Sequence, residues 1–173
     1  DKSFAYALFG RNIQTRYKMT KKHKIMNGLV FQEEGAFKAA SVFLCDDRIV
    51  SEETYLSTEG EETSTDAKGC YIIPGLTDIH FHGCMGSDCC DGTPEAFRTI
   101  AEYELRQGVT SITPATLTVS EETLTKICHT AKDFFCAGGA DFCGLYMEGP
   151  FISPGKKGAQ NEKYICPADT EML

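Results

Sequence analysis

A chain of 173 residues that is 42% hydrophobic and 24% charged has enough apolar mass for a folded core. It contains no run of 18 apolar residues, so the sequence offers no membrane-spanning helix. Its first 24 residues hold seven Lys/Arg and one acid, leaving 10 basic and 24 acidic residues in the remainder, a net of −14. That acidic body speaks against a nucleic-acid surface, which needs clustered Lys/Arg to neutralise phosphates.

Residues 1–24 read as a basic leader, unordered or non-native, because the chain does not begin with Met and Met19 or Met26 would each make a sensible start. Nine cysteines at irregular spacing, with no C-x-x-C, give little support to a closed zinc site. They read as reduced thiols of a cytoplasmic protein, and Cys45, Cys128 and Cys143 fall in apolar stretches where Cys acts as a small hydrophobe. The vicinal Cys89-Cys90 falls in a loop, where a thiol can be reactive.

Residues 25–73 read as short strands, Ile25–Phe31, Phe37–Leu44, Arg48–Ser51 and Cys70–Ile73, with an Asp46-Asp47 hairpin turn. Residues 59–68 are polar and acidic, the composition of a solvated loop. This segment is too short to bury two sheet faces alone, so its strands need others from elsewhere in the chain.

After Pro74 the rhythm changes. Tyr71-Ile-Ile-Pro-Gly-Leu-Thr-Asp-Ile-His-Phe-His-Gly83 reads as a buried strand from Leu76 to Phe81 entered through a Pro-Gly turn. Alternation along a strand places His80 and His82 on one face, about 6.5–7 Å apart. Two imidazoles there can grip one metal ion, although a His-x-His is as readily a pair of ordinary strand-end histidines. Asp91 or Thr93 can cap a helix with Pro94 in its first turn, followed by the stripe Phe97, Ile100, Ala101 and Leu105 and a stop at Gly108. Val109–Pro114 reads as a second strand. Ser120, with Glu121 and Glu122, opens a second helix with the stripe Leu124, Ile127, Cys128, Ala131, Phe134 and Phe135. Phe142–Met147 is the third strand. Strand starts at 76, 109 and 142 are 33 residues apart, the period of βαβ units in a parallel sheet. Such sheets keep their chemistry at strand C-termini, where both His80/His82 and Glu148 fall. A carboxylate following the apolar run Leu145-Tyr-Met147 requires a metal ion or a cation. Lys156 and Lys157 are the alternative partners.

Pro74-Gly-Leu-Thr-Asp-Ile-His-Phe-His-Gly83 resembles the first-strand motif of the amidohydrolase superfamily. Gly144-Leu-Tyr-Met-Glu-Gly-Pro-Phe-Ile-Ser-Pro154 and Lys156-Lys-Gly-Ala-Gln-Asn161 resemble the third-strand motif and following loop of N-acetylglucosamine-6-phosphate deacetylases. The resemblance runs from about Lys24 to Leu173. It implies an α/β fold: residues 74–173 as the first three units of a (β/α)8 TIM-type barrel, and residues 25–73 as part of a small β-sandwich built from both chain ends. It implies hydrolysis of the N-acetyl group of N-acetylglucosamine 6-phosphate to glucosamine 6-phosphate and acetate, with a divalent metal: Zn, or else Fe, Co, Ni or Mn. Glu148 matches the family's metal-ligand glutamate, and His80 and His82 match a pair that holds a second metal in some members. Ala159 and Gln160 match loop positions that contact the amino-sugar phosphate, with Gln160 standing where the family usually has His. An amide can donate to a sugar or phosphate oxygen but cannot become charged.

A complete barrel takes about 250 residues. The later metal histidines, the catalytic aspartate and the phosphate-binding arginine and histidine are therefore expected beyond Leu173. The chain by itself is expected to be inactive, and the full-length enzyme to be a homodimer that binds neither nucleic acid nor membrane. The other readings are a cyclic amidase of dihydroorotase type, and a non-catalytic metal- or sugar-binding remnant.

Overall fold

The computed structural model describes residues 19–171, which divide between Pro74 and Gly75 into two compact units. The first unit is a five-stranded sheet. Strand β1 (Thr20–Phe31) runs antiparallel to β2 (Phe37–Cys45), which runs antiparallel to β3 (Arg48–Val50). Helix α1 (Glu52–Ser57) follows. Along its other edge β1 pairs in parallel first with β4 (Gly60–Asp66) and then with β5 (Tyr71–Ile72). Asp46, in the expected hairpin turn, takes a φ of +50°, a conformation that Asp tolerates better than most side chains.

Three expectations for this unit are corrected. The basic leader does not extend to Lys24: residues 20–24 are part of β1, and residues 1–18 of the proposed leader lie outside the described residues. Lys22 is only 8% exposed, its ammonium 4.2 Å above the Tyr55 ring and 3.5 Å from Glu62, while the ammonium of Lys24 lies 5.0 Å from the Phe43 ring centre. Long alkyl stems cover apolar surface while their charges find a partner. Residues 60–66, expected as solvated loop, are a strand, with Thr63 and Thr65 clasping the His23 ring at 2.7 and 2.9 Å. The third strand stops at Val50 because Ser51 caps α1, its hydroxyl accepting from the Thr54 amide at 3.1 Å, and α1 buries Tyr55.

The second unit is a parallel β/α arrangement. Strand β6 (Leu76–Asp78) is followed by a small antiparallel hairpin, β7 (Gly83–Cys84) with β8 (Ser87–Asp88), and by helix α2 (Pro94–Arg106). Then come β9 (Val109–Ile112), β10 (Ala115–Thr116), α3 (Glu121–Lys132), β11 (Asp141–Phe142) and β12 (Tyr146–Met147). The order β11-β9-β6 is parallel throughout, and β10 pairs in parallel with β12. Both helices start where local chemistry places them. Thr93 accepts from the Ala96 amide at 3.2 Å with Pro94 behind it, and Ser120 accepts from the Thr123 amide at 3.3 Å.

The core lies where α2 packs on the strands and on α3. Phe97, Ile100 and Ala101 of α2, Ile112 of β9 and Ile127 of α3 are fully buried. Phe97 meets Phe134 and Phe142 at ring-centre distances of 5.4 and 5.1 Å.

The expected strands are shorter than the apolar runs suggested. The first ends at Asp78 rather than Phe81, and it is not buried throughout: Leu76 is 50% and Ile79 64% exposed. Pro114, which has no N–H to donate, divides β9 from β10. Gly144, at φ +155°, divides β11 from β12. Helix α3 ends at Lys132, so Phe134 turns into the core while Phe135 is 80% exposed. Cys128 and Cys143 are also exposed, against the expectation of apolar interiors.

Candidate metal centre

His80 and His82 sit in the extended segment just past β6. Three hydrogen bonds fasten that segment: the Ala115 amide donates to Phe81 O at 2.7 Å, the Cys89 amide to His82 O at 2.7 Å, and the His80 amide to Asp78 Oδ1 at 3.0 Å. Gly83 follows it at the start of the β7–β8 hairpin, where a Cβ would overlap the Ser87 carbonyl. Glu148 follows β12 directly.

These elements bring the three predicted ligands together. Glu148 Oε2 stands 3.3 Å from His80 Nε2 and 3.3 Å from His82 Nε2. Lys157 points elsewhere, 4.0 Å from Glu162 and 3.4 Å from the Gln160 carbonyl, so the alternative ion pair with Glu148 does not form through it. A charge-assisted N–H···O bond would be about 2.7–2.9 Å long. Two donors bound tetrahedrally to one ion through bonds of about 2.1 Å stand about 3.4 Å apart. The observed spacing fits a shared cation better than a direct hydrogen bond. Among the described residues, these three are the one group of His, Cys, Asp or Glu donors close enough to hold an ion, all within 4.8 Å of one another. Two nitrogens and one carboxylate oxygen, partly open to solvent, are the donor set of a catalytic site rather than a closed structural one.

The surrounding groups orient the candidate ligands. His82 Nδ1 lies 3.2 Å from the Ala115 carbonyl. That bond calls for the proton on Nδ1 and leaves the Nε2 lone pair facing the cluster. The His80 ring stands edge-on to Tyr146 at 4.8 Å and to His82 at 5.5 Å.

The loop residues have different surroundings from the ligands. Ala159 is exposed. Gln160 is 7% exposed, and its Oε1 accepts from the Thr118 amide at 2.7 Å. The Thr118 hydroxyl donates to the Glu148 carbonyl at 3.0 Å. Neither Thr118 nor Ala115 carries a sequence signal, because each acts through a hydrogen bond to a residue 30 or more positions away in the chain: Thr118 to the Glu148 carbonyl, and Ala115, through its own carbonyl, to the His82 ring. His129 lies in the last turn of α3 and is not part of the cluster. Burial pushes the thiol of Cys89 up to about 12 and that of Cys90 up to about 11, which favours the neutral thiol over the nucleophilic thiolate at neutral pH.

No protein-family model matches the chain. It is 30% identical over 151 residues to the N-acetylglucosamine-6-phosphate deacetylase of Caenorhabditis elegans, covering 82% of this chain and 36% of that protein. The deacetylase of the same name from Bacillus subtilis is 31% identical over 107 residues, covering 59% of this chain and 27% of its own length. Among solved structures, N-acetylglucosamine-6-phosphate deacetylase from Thermotoga maritima superposes with a TM-score of 0.67 at 25% identity, over 86% of this chain and 38% of that one. The enzyme of that name from Pasteurella multocida shares the fold, with a TM-score of 0.74 at 22% identity over 87% of this chain and 40% of that one. The chain therefore spans between about a quarter and two-fifths of the length of these relatives.

Proposed function

Because this chain is related in sequence and fold to N-acetylglucosamine-6-phosphate deacetylases, we propose that it builds the metal-binding side of an enzyme removing the acetyl group from N-acetylglucosamine 6-phosphate. The products are glucosamine 6-phosphate and acetate. The observation that carries this reading is the single Glu148 oxygen 3.3 Å from both His80 Nε2 and His82 Nε2. On this reading β6, β9 with β10, and β11 with β12 are the first three strands of a (β/α)8 barrel, and the sheet of the first unit belongs to a small β-sandwich. Parallel pairing with a helix after each of the first two barrel strands supports it.

His80, His82 and Glu148 would hold the divalent cation, with Zn2+ best suited to two imidazoles and a carboxylate. A cation bound there supplies Lewis-acid polarisation of the acetyl carbonyl and an acidified water. The protein fixes the ligands: Ala115 O sets the tautomer and tilt of His82, and Glu148 contributes the negative charge that a cation requires. Ala159 and Gln160 are the proposed loop contacts to the sugar phosphate. With the Gln160 Oε1 engaged by Thr118, its Nε2 is the group that can serve there as a donor. Nine free thiols fit a reducing cytoplasmic compartment, and no helix is long and apolar enough to cross a membrane.

A proton-NMR titration tests the proposal by following the acetyl-methyl line of N-acetylglucosamine 6-phosphate. The Zn2+-loaded chain is expected to broaden that line, and Glu148→Ala to abolish the broadening. No acetate line should grow, because the resemblance places the general base on a later barrel strand. A methyl line that stays sharp with and without Zn2+ contradicts the deacetylase reading. Broadening that needs neither Zn2+ nor Glu148 points instead to a sugar-binding remnant.

A further inference from the structure

The segment running from β10 into α3 touches two of the three candidate ligands without contributing one. Ala115 O receives His82 Nδ1 at 3.2 Å, and the Thr118 hydroxyl donates to the Glu148 carbonyl at 3.0 Å. Thr118 is in turn held from behind. Its amide donates to Gln160 Oε1 at 2.7 Å, and both side chains are buried. The fit leaves no slack at the next residue: Gly149 has φ +88°, and a Cβ there would overlap Thr118 Oγ1. A buried carboxamide with its oxygen on a single backbone N–H forms a strut, since removing it strands that donor away from water.

We infer that Gln160 is a positioning residue for the metal centre, acting through Thr118. By holding the Thr118 amide, it aims the hydroxyl at the Glu148 backbone and so sets where the Glu148 carboxylate stands relative to His80 and His82. The inference rests on the reading of these three residues as metal ligands. It assigns Gln160 a role distinct from contact with the sugar phosphate. An amide oxygen accepts this bond at every pH, whereas an imidazole accepts only through an unprotonated ring nitrogen.

The test is a Co2+ titration of the full chain, reading both affinity and the visible ligand-field band, with circular dichroism to confirm folding. Thr118→Val keeps the side-chain shape and removes the donor; Gln160→Met keeps the length and removes the acceptor. Each is expected to weaken Co2+ binding about tenfold or more and to shift the band. The double variant should be no weaker than the worse single one, because the two bonds act in series. Thr118→Ser and Gln160→Glu, which keep the hydroxyl and the acceptor oxygen, should restore binding. If Gln160→Met fails to fold, the comparison of Thr118→Val with Thr118→Ser decides. Wild-type affinity and an unshifted band in Thr118→Val and Gln160→Met, with binding still lost in Glu148→Ala, would overturn the strut while leaving the metal centre standing. A wild-type chain that binds no Co2+, or binds it independently of Glu148, overturns the metal reading itself, and the positioning role with it.

Discussion

The two units treat the backbone in opposite ways. In the first, β1 runs for 12 residues and is paired on both sides. In the second, the longest strand has four residues, and two of the ladders are split by Pro114 and Gly144. Apart from one irregularity between Ile25 and Gly28, the ladders of β1 engage its carbonyls in strand pairing. Where the ladders of the second unit break, carbonyls are free to be taken otherwise: Phe81 O by the Ala115 amide, Pro114 O by Tyr146, Ala115 O by His82 and Glu148 O by Thr118. The irregular stretches are therefore the scaffold of the candidate centre, and the regular sheet carries no ligand of it. This is the division of labour expected when loops at strand ends hold the chemistry on a packed frame.

The contrast can be broken most severely in the second unit's core. Phe97→Ala should cost about 3–5 kcal/mol in urea unfolding, since Phe97 is fully buried against Phe134 and Phe142. Ile49→Ala, on an exposed side chain of the first sheet, should change stability by only about 0.5 kcal/mol or less. A comparable loss from both would deny that the packing differs.

Glycines sharpen the comparison next. Gly149 and Gly35 both have positive φ, at +88° and +80°, but only Gly149 has a neighbour where a Cβ would go. Gly35→Ala should cost about 1–2 kcal/mol from backbone strain alone. Gly149→Ala should cost more than that in the same denaturation experiment and should also weaken metal binding.

A smaller effect concerns the thiols. Burial raises Cys89 to about 12 and Cys90 to about 11, both above the ordinary value of 9.0. With the folded value above the unfolded one, the folded chain binds more protons between them. The stabilisation is complete below about pH 8.5 and is lost as pH rises through the folded values. Iodoacetamide at pH 8 should label the exposed Cys128 and Cys143 well before Cys89 or Cys90; early labelling of the vicinal pair in folded protein would contradict their burial. Thr116→Val should have the smallest effect. The Thr116 hydroxyl is buried without a partner among the described residues, so its removal should leave the melting temperature unchanged or slightly raised.

How much of this could be read in the sequence follows from how local each signal is. Helices α2 and α3 were legible because Thr93, Pro94 and Ser120 act within one turn. Strand β4 was not, because Gly60-Glu-Glu-Thr-Ser-Thr-Asp66 shows no apolar alternation and its order comes from pairing with β1 some 40 residues earlier. Helix α1 is not legible although Ser51-Glu-Glu-Thr54 carries a capping signal, since the strand Arg48–Val50 leads straight into it. The candidate ligands were legible because His80-x-His82 and Glu148 follow recognisable parallel strands. The Gln160–Thr118–Glu148 connection was not, because a residue that works by bonding another's backbone leaves no pattern in composition or spacing.

The measurement that bears most directly on the central claim is an isothermal titration of the chain with Zn2+. It should be run on the wild type and on His80→Ala, His82→Ala and Glu148→Ala. Convergence of the three side chains on one ion predicts a saturable site in the wild type, weakened at least about tenfold by each single substitution. Zn2+ binding that is absent in the wild type, or unchanged when Glu148 is removed, would contradict it.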